Sequence, residues 1–134
     1  MKKAVRYLYY IGMGGLIFWF AYSKGWIFVN FESVTPKQAV TLLRNDRNIT
    51  LLDVRTPEEF RNGHLRNATL LPLKRLEANL DKLTPLKTRK ILVYCRSGSR
   101  SIAASRILEK HGFTPLNIKG GIIGLANAHA DIIK

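Results

Sequence analysis

Apolar positions along this chain come in short blocks whose spacing switches between strand-like and helix-like, and that switching predicts the architecture. Residues 49–54, Ile-Thr-Leu-Leu-Asp-Val, read as a buried strand, because the run is short, rich in branched residues and followed by the breaker Thr56-Pro57. Residues 91–94, Ile-Leu-Val-Tyr, and 116–118, Leu-Asn-Ile, are blocks of the same kind, and 68–71 is a weaker one. Helix signals lie between them. Thr35 is placed as a cap, Pro36 falls in the first turn, Gln38 closes a capping box, and Ala39, Val40, Leu42 and Leu43 supply the apolar face that follows. A brief helix is expected over 57–60 and a weak one over 76–83. The clearest spans 101–110, with Ile102, Ala103, Ile107 and Leu108 on one side and Gly112 as its stop. A last helical stretch follows the Gly120-Gly121 turn. Strands alternating with helices predict an α/β fold: a mostly parallel central sheet with helices on both faces.

The N-terminus follows a different pattern. Lys2, Lys3 and Arg6 precede an uncharged run over 7–23, roughly 25 Å of helix and near the lower limit for crossing a bilayer. Tyr7, Tyr9 and Tyr10 sit at one end of it and Trp19, Tyr22 and Trp26 at the other, as interfacial anchors would. The run predicts one N-terminal hydrophobic helix retained in a membrane. A cleaved secretory signal is the alternative, with Ala21-Tyr22-Ser23 as the small-residue site. Under either reading the basic start stays in the cytoplasm, and the rest of the chain lies on the exported side, periplasmic or extracellular. The expected division is a segment and apolar connector over 1–31 and a single domain over 32–134.

Composition narrows the function classes. A chain of 134 residues, 46% hydrophobic, buries one modest core. Its formal charge of +13 raises the question of nucleic acid. The basic residues are scattered, however, with no dense block, no aromatic-basic RNA signature and no zinc spacing, which argues against that partner. The excess would instead draw in small anions or an anionic membrane face. One cysteine excludes an internal disulfide, and with three dispersed histidines it offers no metal constellation. No cofactor is implied, and no protein partner can be named.

That cysteine carries the candidate chemistry. Cys95 ends the apolar run 91–94 and is followed by Arg96, Ser97, Gly98, Ser99 and Arg100, which lead into the clearest helix. A cysteine in such a turn faces unpaired N–H donors and the positive end of a helix dipole, and the two arginines add charge on either side of Gly98. An environment of this kind favours thiolate over thiol and binds small anions. The loop therefore reads as an anion cradle around a reactive sulfur. A lone cysteine after a strand is commonly a small buried hydrophobe, but the loop that follows argues against that here. Asp53, Arg55 and Glu59 read as structural ion pairing rather than acid-base machinery. His64 is expected to fix a turn, and His111 and His129 to be helix-end or surface residues.

These blocks resemble, in order, the signatures of the single-domain rhodanese family, thiosulfate sulfurtransferase-like modules. Leu52-Asp53-Val54-Arg55 with Pro57-Glu58-Glu59-Phe60 looks like the first, Gly63-His64-Leu65 with Asn67-Ala68 the second, Cys95 to Arg100 the active loop, and Gly120-Gly121 the closing turn. Where the family usually carries a tryptophan after that turn, this chain has Ile122, Ile123, Gly124 and Leu125. The resemblance implies a sulfurtransferase with Cys95 as the catalytic nucleophile. Cys95 would form a persulfide, and Arg96, Ser97, Gly98, Ser99 and Arg100 would bind the donor. A small anionic sulfur donor such as thiosulfate and a thiol or cyanide acceptor are the implied partners. Two other classes compete. Cysteine phosphatases, as a family, place five residues between cysteine and arginine, where this chain has the four from Arg96 to Ser99, a cradle better sized for sulfur than for phosphate. The other rival is a noncatalytic, membrane-tethered binding or sulfur-carrier module, for which Cys95 and both arginines would be unneeded.

Overall fold

The computed structural model describes residues 2–23 and 31–134, so most of the predicted connector over 25–31, with Trp26, lies outside the described residues. In chain order the elements are α1 (Lys2–Ser23), β1 (Glu32–Val34), α2 (Pro36–Asn45), β2 (Ile49–Asp53), α3 (Pro57–Arg61), β3 (His64–Leu65) and β4 (Thr69–Leu70). Then come α4 (Leu73–Leu76), running into a 3-10 stretch (Glu77–Leu86), β5 (Lys90–Tyr94), α5 (Ser99–Lys110), β6 (Thr114–Ile118), α6 (Gly121–Asn127) and β7 (Ile132–Ile133).

Five strands form the central sheet in the order β1-β6-β5-β2-β4, with all neighbours parallel. Side-chain alternation along the strands splits the core in two. Ile91, Val93 and Cys95 of the β5 segment face α4, α5 and the 3-10 stretch, packing with Leu76, Leu83, Ala104 and Leu108. Leu92 and Tyr94 face the other way, against Ala39 of α2 and Leu125 of α6. The predicted α/β fold with helices on both faces is therefore the one observed.

Local signals act as expected at α2: Thr35 Oγ1 accepts from Gln38 N at 3.2 Å, while Gln38 Oε1 accepts from Thr35 N at 2.9 Å. Thr56 and Glu59 build a second capping box on α3. The weak helix expected over 76–83 is instead one α turn passing into 3-10 geometry, with Pro85 inside it. β1, β3 and β7 were not predicted, because strands of two or three residues show no period; β3 and β7 form a separate antiparallel pair. α6 closes without a tryptophan: Leu125 is buried, and Gly124 lies so close to Pro36 that a Cβ there would stand 2.8 Å from its ring.

α1 corrects the expectation of a membrane-spanning helix. It is helical over 22 residues, but no helix among the described residues is long and apolar enough to cross a membrane. Tyr7, Tyr9, Tyr10, Gly12, Gly14, Gly15 and Ser23 dilute its apolarity, and Lys2, Lys3 and Arg6 occupy its first turns. None of its residues is buried. Its C-terminal end meets α5, where the Arg106 guanidinium stacks 3.9 Å from the Tyr22 ring centroid and donates to the Tyr22 carbonyl.

Candidate active site

Cys95 lies just past the end of β5 with its residue 1% exposed, at the point where the chain turns into α5. The turn is made by Gly98, whose φ of +119° is strained for any residue with a Cβ. This turn brings the Gly98 N–H to 3.0 Å from Cys95 Sγ, a main-chain donor aimed directly at the sulfur. α5 begins at Ser99, two residues earlier than expected, because Gly98 serves as its N-cap; the positive end of the helix dipole therefore faces the loop. Ser101, fully buried in that turn, donates to the Gly98 carbonyl at 3.0 Å and lies 3.7 Å from Sγ. It was not among the residues singled out from the sequence.

The loop is also held from behind. The carbonyls of Cys95 and Arg96 accept N–H groups of Ile122 at 2.8 Å and Ile123 at 3.4 Å, from the first turn of α6. With those oxygens drawn to the rear, the amides of Arg96 and Ser97 meet no acceptor among the described residues, as donors for an anion require. Gly121 makes this contact possible: a Cβ on it would lie 2.4 Å from the Cys95 oxygen and from the Arg96 carbonyl group. The Gly120-Gly121 doublet was legible as a turn, but its role as the back wall of the loop was not.

The two loop arginines part company. Arg96 is exposed and lines an open cleft of about 350 Å³ with Arg55, Glu59, Ile122, Ile123 and Ile132. Arg100 is clamped by Glu59 of α3 through two bonds, Nη1 to Oε1 at 2.6 Å and Nη2 to Oε2 at 2.9 Å. The Arg100 hydrogen bond, helped by the Thr56 amide, holds the Glu59 carboxyl at about 2, below its ordinary 4.5, and Glu59 raises Arg100 in turn. The ion pairing expected of Asp53, Arg55 and Glu59 is thus divided. Arg55, 4% exposed, bonds Asp53 Oδ2 at 2.7 Å and the Gly63 carbonyl at 2.7 Å, whereas Glu59 reaches across to the loop. Thr56 at the cap and Glu59 at the third helical position form a capping box that holds Glu59 in place, a sequence pattern that the ion-pair reading passed over. Tyr94 anchors the opposite face, its hydroxyl accepting the Leu65 N–H at 3.1 Å, and its burial raises its pKa further. His64 stacks on Phe60 at 3.7 Å and donates from Nδ1 to the Phe60 carbonyl, fixing the turn.

Ser97 and Ser99 complete the exposed outer rim, and the six residues expected of the site run from the end of β5 through the loop into the first turn of α5. Among the described residues, no three His, Cys, Asp or Glu side chains come together as a metal site requires. What this arrangement can do is hold a buried sulfur beside main-chain donors and admit a small anion past Arg96.

The rhodanese-like domain family model matches residues 35–128. A sulfurtransferase of Allochromatium vinosum is 34% identical over 106 residues, covering 78% of this chain and 92% of that protein. Thiosulfate sulfurtransferase PspE of Escherichia coli is 33% identical over 75 residues, covering 56% of this chain and 72% of that one. Among solved structures, a rhodanese-related protein from Thermoplasma volcanium superposes with a TM-score of 0.68 at 27% identity, over 77% of this chain and 98% of that one.

Proposed function

The chain belongs to the rhodanese-like domain family, and from that premise we propose that it is a sulfurtransferase moving a sulfane sulfur from a thiosulfate-type donor to a thiol or cyanide acceptor through a persulfide on Cys95. The observation that carries the reading is the Gly98 N–H donated to Cys95 Sγ at 3.0 Å, at the start of α5. The Cys95 thiolate attacks the outer sulfur of the donor. The bond between that sulfur and the sulfonate group breaks, and its electron pair leaves with sulfite. The acceptor then attacks the terminal sulfur, and the electron pair of the persulfide bond returns to Cys95 as thiolate. Such a two-step transfer gives ping-pong kinetics. The amides of Arg96 and Ser97, with the Arg96 guanidinium at the rim, bind the donor's anionic oxygens and then the persulfide charge. A sulfur this deeply seated favours a slender donor over a bulky phosphate ester.

The test is intact mass after incubation with thiosulfate. A gain of about 32 Da, reversed by cyanide or dithiothreitol and absent from Cys95→Ser, is expected of a persulfide. A folded, reduced sample that takes up no sulfur from thiosulfate or polysulfide would sink the enzyme reading and leave a tethered binding or carrier module.

The placement of the domain is the second part of the proposal. A basic start followed by the exposed apolar side chains of α1, among them Leu8, Ile11, Leu16 and Trp19, fits a segment that engages a membrane. Because α1 is not apolar enough to hold the domain across a bilayer, the segment is read as a secretory signal: its basic end stays in the cytoplasm, and cleavage near Ala21-Tyr22-Ser23 frees the domain on the exported face. Protease access to the C-terminus of intact cells tests the side, and fractionation with a mass of the mature chain tests anchorage.

A further inference from the structure

We propose that the cavity at the N-terminal end of β2 is a second binding site, separate from the cysteine loop, that takes a small amphiphilic anion: an alkyl chain ending in a carboxylate or phosphate. The cavity holds about 540 Å³, within the roughly 300–1,000 Å³ of small-molecule sites. It lies between the C-terminal end of α2, the start of β2 and the segments 65–67 and 129–131. β2 and β5 run parallel with Ile49 beside Lys90 and Asp53 beside Tyr94, so this cavity opens at the end of the sheet remote from Cys95. The site owes nothing to the sulfur chemistry and stands or falls without it.

Two features specify the ligand class. Leu43, Ile49, Leu65 and Ala130 give the cavity an apolar floor, and arginines crowd its rim. Arg66 is paired with Asp131 at 2.6 Å, and Asp46 accepts the Asn48 N–H at 2.9 Å. Arg44 and Arg47 have no carboxylate partner among the described residues, so the rim offers two uncommitted cations above an apolar floor. A tail against the floor and an anionic head between the guanidinium groups satisfies both. The backbone supports a built site. Asn67 at φ 68° and His129 at φ 60° are the non-glycine residues with positive φ among those described, and both line this cavity. His129 is the left-handed residue that closes the C-terminus of α6, its N–H bonded to the Ala126 carbonyl at 3.1 Å and the Ala130 N–H to the Leu125 carbonyl at 3.0 Å, so this wall of the cavity is fixed by the helix end. Arg44 in the last turn of α2 also offsets the helix dipole, but that does not explain Arg47 beyond the helix.

The experiment titrates the full chain, methyl-labelled at Leu and Ile, with decanoate, decyl phosphate and uncharged decanol. Saturable shifts of the Leu43, Ile49 and Leu65 methyls with either anion are expected, the tighter of the two naming the head group. Arg44→Glu with Arg47→Glu should weaken the anion about tenfold, with Arg44→Lys and Arg47→Lys retaining it and persulfide formation at Cys95 unchanged in all variants. The proposal is overturned if no saturable shift reaches those methyls, if shifts are confined to Leu8, Ile11, Leu16 and Ile17 of α1, or if decanol and the glutamate variant bind as tightly as the native pair.

Discussion

Across residues 95–100 the chain is held from behind by α6 and from the side by Glu59, whereas over the 22 residues of α1 no side chain is buried, and Arg106 of the domain meets only its C-terminal end at Tyr22. Yet the two stretches are comparable as sequence signals: each is a distinctive local pattern flanked by basic residues. The difference lies in what the rest of the fold supplies. The loop is completed by α6, whose amides take its carbonyls, by α3, which brings Glu59 to Arg100, and by Ser101 beside the sulfur. α1 brings a long uncharged run to a domain that has already covered both faces of its sheet with other helices. A motif becomes a rigid site when distant elements close around it, and a hydrophobic run becomes core only when an uncovered face awaits it.

The sharpest way to break this contrast is at the back of the loop. Gly121→Val sets a branched side chain where even a Cβ stands 2.4 Å from backbone atoms of Cys95 and Arg96, on a residue with φ +57°. Backbone cannot yield as a flexible side chain would, so steric overlap and left-handed strain add. A loss of about 4 kcal/mol or failure to fold is expected, with persulfide formation abolished in any folded fraction. Urea denaturation beside mass spectrometry checks it. A variant of native stability with full sulfur uptake would show that α6 does not shape the loop.

How much of this was legible in the sequence follows the same division. The capping box at Thr35 and Gln38, the strand that delivers Cys95 and the turn at Gly98 are local in their causes, and they appear where the sequence places them. The pairing of Glu59 with Arg100 crosses 41 positions, and proximity in sequence instead suggested grouping Glu59 with Asp53 and Arg55. β3 and β7 have two residues each and pair residues 64–65 with 132–133, far apart in the chain, which no periodicity could announce. For α1, counting uncharged residues overstated apolarity, because tyrosine, glycine and serine are uncharged without being strongly hydrophobic.

A smaller effect is expected at the lateral grip. Glu59→Gln removes the carboxylate that Arg100 holds, and partial exposure of both side chains limits the cost to about 1 kcal/mol. The pH dependence carries the signature. Glu59 titrates at about 2 when folded against an ordinary 4.5, so its contribution is complete above 4.5 and is lost as pH falls towards 2. The native and Gln chains should differ in denaturation midpoint near neutral pH and converge in strong acid. A difference that persists undiminished in acid would mean that the side chain acts through packing rather than charge.

The smallest effect belongs to α1. Tyr22→Ala deletes the ring on which the Arg106 guanidinium stacks at 3.9 Å but leaves the main-chain carbonyl to which Arg106 donates. A cation–π contact of this exposure is worth about 0.5–1 kcal/mol, and that energy is spent on docking the helix rather than on folding the domain. The domain's unfolding midpoint and its rate of persulfide formation should therefore stay within error of the native chain. Amide exchange over the last turns of α1 should speed up, because a stacked ring no longer restrains them. Leu108 and Ala104, on the same α5 helix as Arg106, pack into the core beneath the sheet. If losing Tyr22 lowered the stability of the whole domain by several kcal/mol, α5 would have to depend on α1 for its own position. The contrast between a gripped loop and a helix with no buried residue would then fail.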